Sequence, residues 1–407
     1  MADRRVISNG WSNGVAVDLL VEDGVVVDEH IDPTSIDCPV VDVGGRMLLP
    51  ALAEPHAHLD KALTAELAPN PTGDLRGAID AWMEAEAAGR FEPVGMADRI
   101  RDELRRLLLS GTTAVRSHLN VGGGVGVDHL RVALDVADEF SGSMDIQLVA
   151  MITMPLTGPG SEQNVAALHE AVEAGVHLVG GCPHLEPDSA GAIAVLSAVA
   201  GEGCPIDLHI DETLDPSMLT IIDLIAAARK RPDVNFTASH CVSLSAVHGD
   251  LLLRIADDLA ACAIGVVALP QTNLFLQGRE STRLTPRGIA PVGTLRERGV
   301  MVAAGGDNVQ DPFNLMGRSD PLEAAALMVM AAHESPTDAL NLVSNGARAV
   351  MGLPECGPTV GAVADIVAVP ARSAREAVAD AGADRIVFRA GREVARSTVT
   401  RTTAVDD

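Results

Sequence analysis

The sequence predicts an α/β protein: a (β/α)8 barrel accompanied by a small sheet domain that both chain ends share. Three observations predict it. Apolar strand patterns alternate with amphipathic helix patterns about eight times through the middle of the chain. Both ends carry β-branched runs broken by turn signals. The length, 407 residues, exceeds an average domain and suits one large barrel with an appendage.

Taken in order, residues 1 to about 50 read as short strands and turns, with VAVDLLVEDGVVV broken at Asp23-Gly24. The candidate barrel strands are Met47–Ala53, Thr113–His118, Asp145–Ile152, His177–Gly181, Ile206–Ile210, Asn235–His240, Gly265–Pro270 and Val300–Gly305. Between them lie helical patterns such as ADRIRDELRRLLLSG, EQNVAALHEAVEAG and LTIIDLIAAARKR, with apolar residues at i, i+3, i+4 spacing. GGGVGV at 122–127 reads as a loop after the second strand; no Lys-Ser/Thr follows to make it a phosphate cradle. At the far end ADIVAVP reads as a strand and RIVFRAGREVA as a hairpin around Gly391. The expected division is residues 51–354 for the barrel and 1–50 plus 355–407 for the sheet domain.

Composition narrows the function. The net charge of −26 repels phosphate backbones and anionic membranes, which argues against a nucleic-acid or membrane partner. Lysine occurs only at Lys61 and Lys230, and Tyr is absent. The six cysteines form no C-x-x-C pair and read as reduced, mostly buried thiols. The first residues, MADRRVISNG, lack an apolar targeting stretch, and no run reaches transmembrane length, so a soluble cytoplasmic protein is expected. Oligomeric state is left open, a homo-oligomer included.

The chemistry lies in where the polar residues fall. His56-Ala57-His58 follows the first strand, His209 and His240 end the fifth and sixth, and Asp307 follows the eighth. In a barrel of this kind the C-terminal strand ends share one mouth, so residues distant in sequence converge there. Alternate residues of an extended segment point the same way, so His56 and His58 can reach one ion. His209 adds a third imidazole and Asp307 a carboxylate. Three nitrogens and one oxygen suit one Zn or Fe ion with a position left for water, whose pKa the ion lowers toward neutrality. A lone H-x-H pair is more often structural than a metal site; four such residues at the ends of four candidate strands are much harder to assign to the core. Glu212, three residues past His209, can face the same cavity as a proton shuttle, or else serve as a helix N-terminal carboxylate beside Asp211. His240 is placed to orient water or polarise substrate. His118 and His184, also at strand ends, fit a pocket or a structural role equally.

The stretches EPHAHLDK (54–61), DLHIDE (207–212), ASH (238–240), NLFLQGR (273–279) and GGDNVQDPF (305–313) resemble the amidohydrolase superfamily, most closely its cytosine deaminase branch. The resemblance spans nearly the whole chain. It implies a distorted (β/α)8 barrel with a small β-sandwich domain formed by both termini. It also implies one divalent ion held by His56, His58, His209 and Asp307, with Glu212 and His240 handling protons. Many relatives bridge two metals with a carboxylated lysine after the fourth strand; here that region reads GGCPHLE, so a mononuclear site is expected. The implied reaction is hydrolytic deamination of an aminated N-heterocycle, with Asp307 accepting the water proton and Glu212 protonating the ring. No organic cofactor is implied.

The recognition residues depart from the branch. Thr153 stands where cytosine deaminases carry a pyrimidine-binding glutamine, and a hydroxyl cannot offer the same paired amide edge. Asp307-Asn308 and Lys61 of HLDK are similar to the branch that removes N-alkylamines from s-triazines, although that branch lacks the glutamate matching Glu212. Phe313 replaces a tryptophan. Thr153, Asn308, Phe313 and Lys61 are therefore the candidate substrate contacts, Lys61 otherwise pairing with Asp60. The expected substrate is a pyrimidine, pterin, triazine or related ring other than cytosine itself. Two alternatives remain: hydrolysis of a cyclic amide or of an N-substituted amino-heterocycle, and a non-catalytic metal-binding scaffold on this fold.

Overall fold

The computed structural model describes residues 3–12, 14–201 and 203–403. Eight parallel strands follow one another in chain order around a barrel: Leu52–Ala57, Thr112–Val121, Asp145–Ile152, Leu178–Gly181, Ile206–Ile210, Phe236–His240, Gly265–Ala268 and Val302–Ala304. Each of the seven successive pairs is a parallel ladder, and that of the first two strands shifts register between Leu52 and Ala53 and again between Glu54 and Ala57. The last and first strands share no ladder; a single bridge between Ala57 and Asp307 closes the circle, with the Asp307 amide donating to the His56 carbonyl at 3.0 Å.

The strands Ile206–Ile210, Phe236–His240 and Gly265–Ala268 are short and buried along their length, which is why they read as apolar runs. The helices pack outside. Pro93–Leu109 presents Met96, Ile100, Leu104, Leu107 and Leu108 inward and carries Pro at its first turn, where the missing N–H costs nothing. It starts four residues before the periodic segment beginning at Ala97, because Pro93 has a fixed φ suited to the helix start. Thr220–Lys230 is capped by Asp211, whose carboxylate accepts from the Thr220 and Ile221 amides at 2.8 and 3.1 Å.

Strands from both chain ends form one mixed sheet, in the order Arg392–Arg396, Ile386–Arg389, Ile366–Val369, Met47–Pro50, Arg4–Ser12, Val15–Glu22, Val25–Asp28, with Val40–Asp42 beside Arg4–Ser12. Ile7, Leu19, Leu48, Ile366 and Phe388 fill its own core. The segment expected as one strand, Met47–Ala53, is two: Met47–Pro50 pairs antiparallel with Ile366–Val369, and Leu52–Ala57 begins the barrel. The break falls at Ala51, whose amide donates to Asp365 rather than to either ladder. His56 consequently lies inside the first barrel strand rather than after it. The helix Ala374–Asp380 is an element that the apolar pattern of the C-terminal segment did not disclose.

All six cysteines are free, but only Cys241 and Cys356 are fully buried, fewer than expected; the others keep partial exposure on helix ends and loops. Among the described residues no helix is long and apolar enough to cross a membrane.

Candidate active site

Four candidate ligand atoms converge at the barrel mouth. His56 Nε2 and His58 Nε2 each lie 3.2 Å from His209 Nε2, and Asp307 Oδ1 lies 3.2 Å from His58 Nε2 and 3.6 Å from His56 Nε2. Donors at 2.1 Å around a tetrahedral centre would be separated by about 3.4 Å. All four side chains are buried. Asp307 takes a left-handed φ of 63°, and neither of its carboxylate oxygens has a hydrogen-bond partner among the described residues.

The surrounding bonds fix which nitrogen bears the proton. The Ser239 hydroxyl donates to Asp207 Oδ1 at 3.1 Å, so its oxygen accepts from His56 Nδ1 at 2.8 Å. His58 Nδ1 donates to the His118 carbonyl at 3.2 Å. Both rings therefore present a bare Nε2 lone pair to the cluster. Burial pulls His56 and His209 well below the ordinary histidine value, and the neighbouring imidazoles lower them further, so both are neutral. Bare imidazole nitrogens facing an unpartnered carboxylate repel one another unless a cation lies between them. The donor set thus fits a divalent ion.

His240 is the last residue of its strand, and strict alternation would send it away from the face that Ser239 occupies. A left-handed φ of 71° re-aims it to the mouth. Asn273 Nδ2 lies 3.1 Å from His240 Nδ1 and 3.3 Å from Glu212 Oε1 and donates to both. His240 therefore carries its proton on Nε2, which has no hydrogen-bond partner among the described residues. Burial lowers His240 to about 4. Burial, with the charge of Asp307, lifts the Glu212 carboxyl well above its ordinary value and keeps it protonated. The capping role open to Glu212 belongs instead to Asp211.

Above these groups opens a cavity of about 250 Å³ lined by Lys61, Trp82, Thr153, His184 and Phe313 among others. Lys61 is buried, with Nζ 2.9 Å from Asn120 Oδ1, 3.3 Å from His58 Nδ1 and 3.4 Å from Asp60 Oδ1. Burial opposes the charge of Asp60, yet Lys61 and His129 outweigh it and hold that carboxyl well below the usual range. Lys61 both pairs with Asp60 and faces the cavity. Asn308 reaches the wall, while its Nδ2 donates to Asp311 at 2.7 Å and secures the loop. His184 lines the cavity and donates to the His209 carbonyl at 3.0 Å. His118 instead lies beneath the cluster, stacked on His56 at 4.0 Å. Cys182 follows the fourth strand and lines the cavity, and burial pushes its thiol up to about 12.

Sequence reasoning assigned no role to Ser239, Asp207 or Asn273. Each lies within a stretch quoted above, but a hydroxyl or amide carries no periodic signal; only its contacts reveal it.

An inward-facing His/Asp cluster at the C-terminal mouth of a parallel barrel is an arrangement suited to metal-assisted hydrolysis. The chain belongs to the amidohydrolase family, whose model matches residues 124–399. It is 31% identical to a pterin deaminase of Rhizobium rhizogenes over 93% of this chain and 88% of that protein. Among solved structures it is similar to an N-isopropylammelide isopropylaminohydrolase from Burkholderia multivorans, with 27% identity, TM-score 0.79, and 97% and 98% of the two chains covered. A 5-methylcytosine deaminase from Klebsiella pneumoniae shares the fold at TM-score 0.86 and 24% identity, covering 99% of this chain and 100% of that one.

Proposed function

We propose that the chain is a hydrolytic deaminase of an aminated N-heterocycle, with pterins the leading substrate class. The observation that carries the reading is the Glu212–Asn273–His240 group beside the four-ligand cluster. The similarity to a pterin deaminase favours the ring type. His56, His58, His209 and Asp307 would hold one divalent ion, zinc or iron. When bound, that ion lowers the pKa of a water toward neutrality.

The chain supplies the rest. The Asp307 carboxylate accepts a proton from the attacking water. Glu212, protonated in its buried site, donates to the ring nitrogen beside the attacked carbon. His240 Nε2–H donates to the incoming oxygen as charge develops on it. The proton taken by Asp307 passes to the amino group, the proton left on the added hydroxyl returns to Glu212, and the carbon–nitrogen bond breaks so that ammonia leaves as the carbonyl forms. Lys61 offers a cation to an acceptor on the ring, and Thr153 and Phe313 bound the cavity. A small polar heterocycle reaches such a site from water, consistent with a cytoplasmic enzyme.

A second reading, removal of an N-alkylamine, is favoured by Lys61, by Asp307-Asn308 and by the similarity to the isopropylaminohydrolase. Ammonia release from a panel of pterins, pyrimidines and N-alkylated triazines, measured with metal content, separates the two. Ammonia from pterins supports the first reading; alkylamine products support the second. No product from any ring with the ion bound would sink both.

A further inference from the structure

The barrel seam is the place where the ion site is least supported by regular structure. Seven ladders join the eight strands, and the eighth junction has one bridge. That junction joins the His56/His58 pair to Asp307, so its geometry sets the distance between the imidazoles and the carboxylate. Glu54 fills the gap. It is buried, and its two oxygens divide across the seam: Oε1 accepts from the His56 amide at 3.2 Å and Oε2 from the Gly306 amide at 2.9 Å. One amide belongs to a candidate ligand and the other to the residue before one. The local sequence makes room for this. A Cβ on Gly305 would stand 2.5 Å from Glu54 Oε1, and one on Gly306 3.1 Å from Oε2. The glycine pair of GGDN thus leaves room for the carboxylate, which a side chain at Gly305 would displace; neither glycine has a left-handed backbone.

We propose that Glu54 is a positioning residue: its carboxylate replaces the missing ladder bonds across the seam and holds the His56/His58 strand at ion-binding distance from Asp307. The inference rests on the ion site proposed above. Glu54 touches neither substrate nor ion and acts through the backbone of the residues that do.

The test compares wild type, Glu54→Gln and Glu103→Gln. Glu103 is a second buried carboxylate lining the same small internal cavity as Glu54, and it bonds Ser319 rather than the ligand loops. Zinc affinity is measured by competition with a chromogenic chelator, alongside the melting midpoint of the metal-free forms. Glu54→Gln is expected to weaken zinc binding about 10- to 100-fold, with activity recovering in excess zinc, whereas Glu103→Gln binds zinc as wild type does. Unchanged affinity in Glu54→Gln, or an equal loss in both variants, overturns the proposal. A purely structural role would lower the metal-free midpoint and leave affinity intact. If wild type binds no divalent ion, the ion site itself falls and this inference with it. Should Glu54→Gln fail to fold, hydrogen exchange on metal-free wild type decides: slow exchange at His56 and Gly306 supports the bridge, and fast exchange overturns it.

Discussion

At His56 the ring proton has one place to go. Asp207 accepts from Ser239, Ser239 accepts from His56 Nδ1, and Nε2 is left bare. Removing the hydroxyl frees the tautomer without touching any candidate ligand. Ser239→Ala is accordingly expected to weaken ion binding about 10- to 100-fold, read by chelator competition, with little change in fold. Glu212 works in the opposite sense, since it must keep a proton. Glu212→Gln is expected to lower kcat about 10²- to 10⁴-fold while the bound ion is retained. Its raised pKa also sets the pH dependence. An acid that donates is active below its pKa, so wild-type kcat falls as pH rises through that value, and this limb is missing from Glu212→Gln. A variant keeping the alkaline limb would remove Glu212 from the proton path. Strand periodicity and strand ends made His56, His58, His209, His240 and Asp307 readable together from sequence. Ser239 and Asn273 were not readable, because their meaning lies in which atom they face. The strand-alternation argument also missed that His240 needs a left-handed φ to reach the mouth.

Among the elements, boundaries were less legible than existence. Met47–Ala53 reads as one apolar run because both of its halves are buried, yet they belong to different sheets. Val300–Gly305 shortens to Val302–Ala304, since Gly305 and Gly306 already turn toward Glu54. The helix Pro93–Leu109 carries a buried charge that its amphipathic pattern hides: Glu103 faces inward, bonded to Ser319 at 2.7 Å. Burial lifts its carboxyl from 4.5 to about 7. The folded state therefore holds this proton more tightly than the unfolded chain. The stabilisation is complete below pH 4.5 and is lost as pH rises toward 7. The shift corresponds to about 3 kcal/mol at most. Glu103→Gln, neutral at every pH, is expected to be more stable than wild type at pH 8, with the advantage shrinking to little below pH 4.5. Denaturant midpoints at the two pH values check this; a constant difference would show that Glu103 is not the titrating group.

Across the whole molecule, the site and the fold share the same weak junction. The terminal sheet is tied to the barrel by apolar packing of Met47, Leu49, Val367, Val369 and Val387 and by charges: Arg389 reaches Asp145 at 2.6 Å and also binds Asp365, and the buried Arg348 lies 3.5 Å from Asp365. The barrel in turn closes at the seam through Ala57–Asp307 and Glu54. The proposed ligands come from the first strand, the fifth strand and the turn after the eighth, so an ion would bind together the two sides of that seam. Binding only the folded state, it would stabilise by mass action, by about 4 kcal/mol at a free concentration 1,000 times its Kd. Chelation should therefore lower the melting midpoint of the entire chain and not merely abolish activity. Re-addition of zinc or iron should restore both, while Asp307→Asn should melt at the chelated value whether or not metal is added. An unchanged midpoint after verified metal removal would mean that the barrel closes without the ion, leaving the ion with chemistry alone.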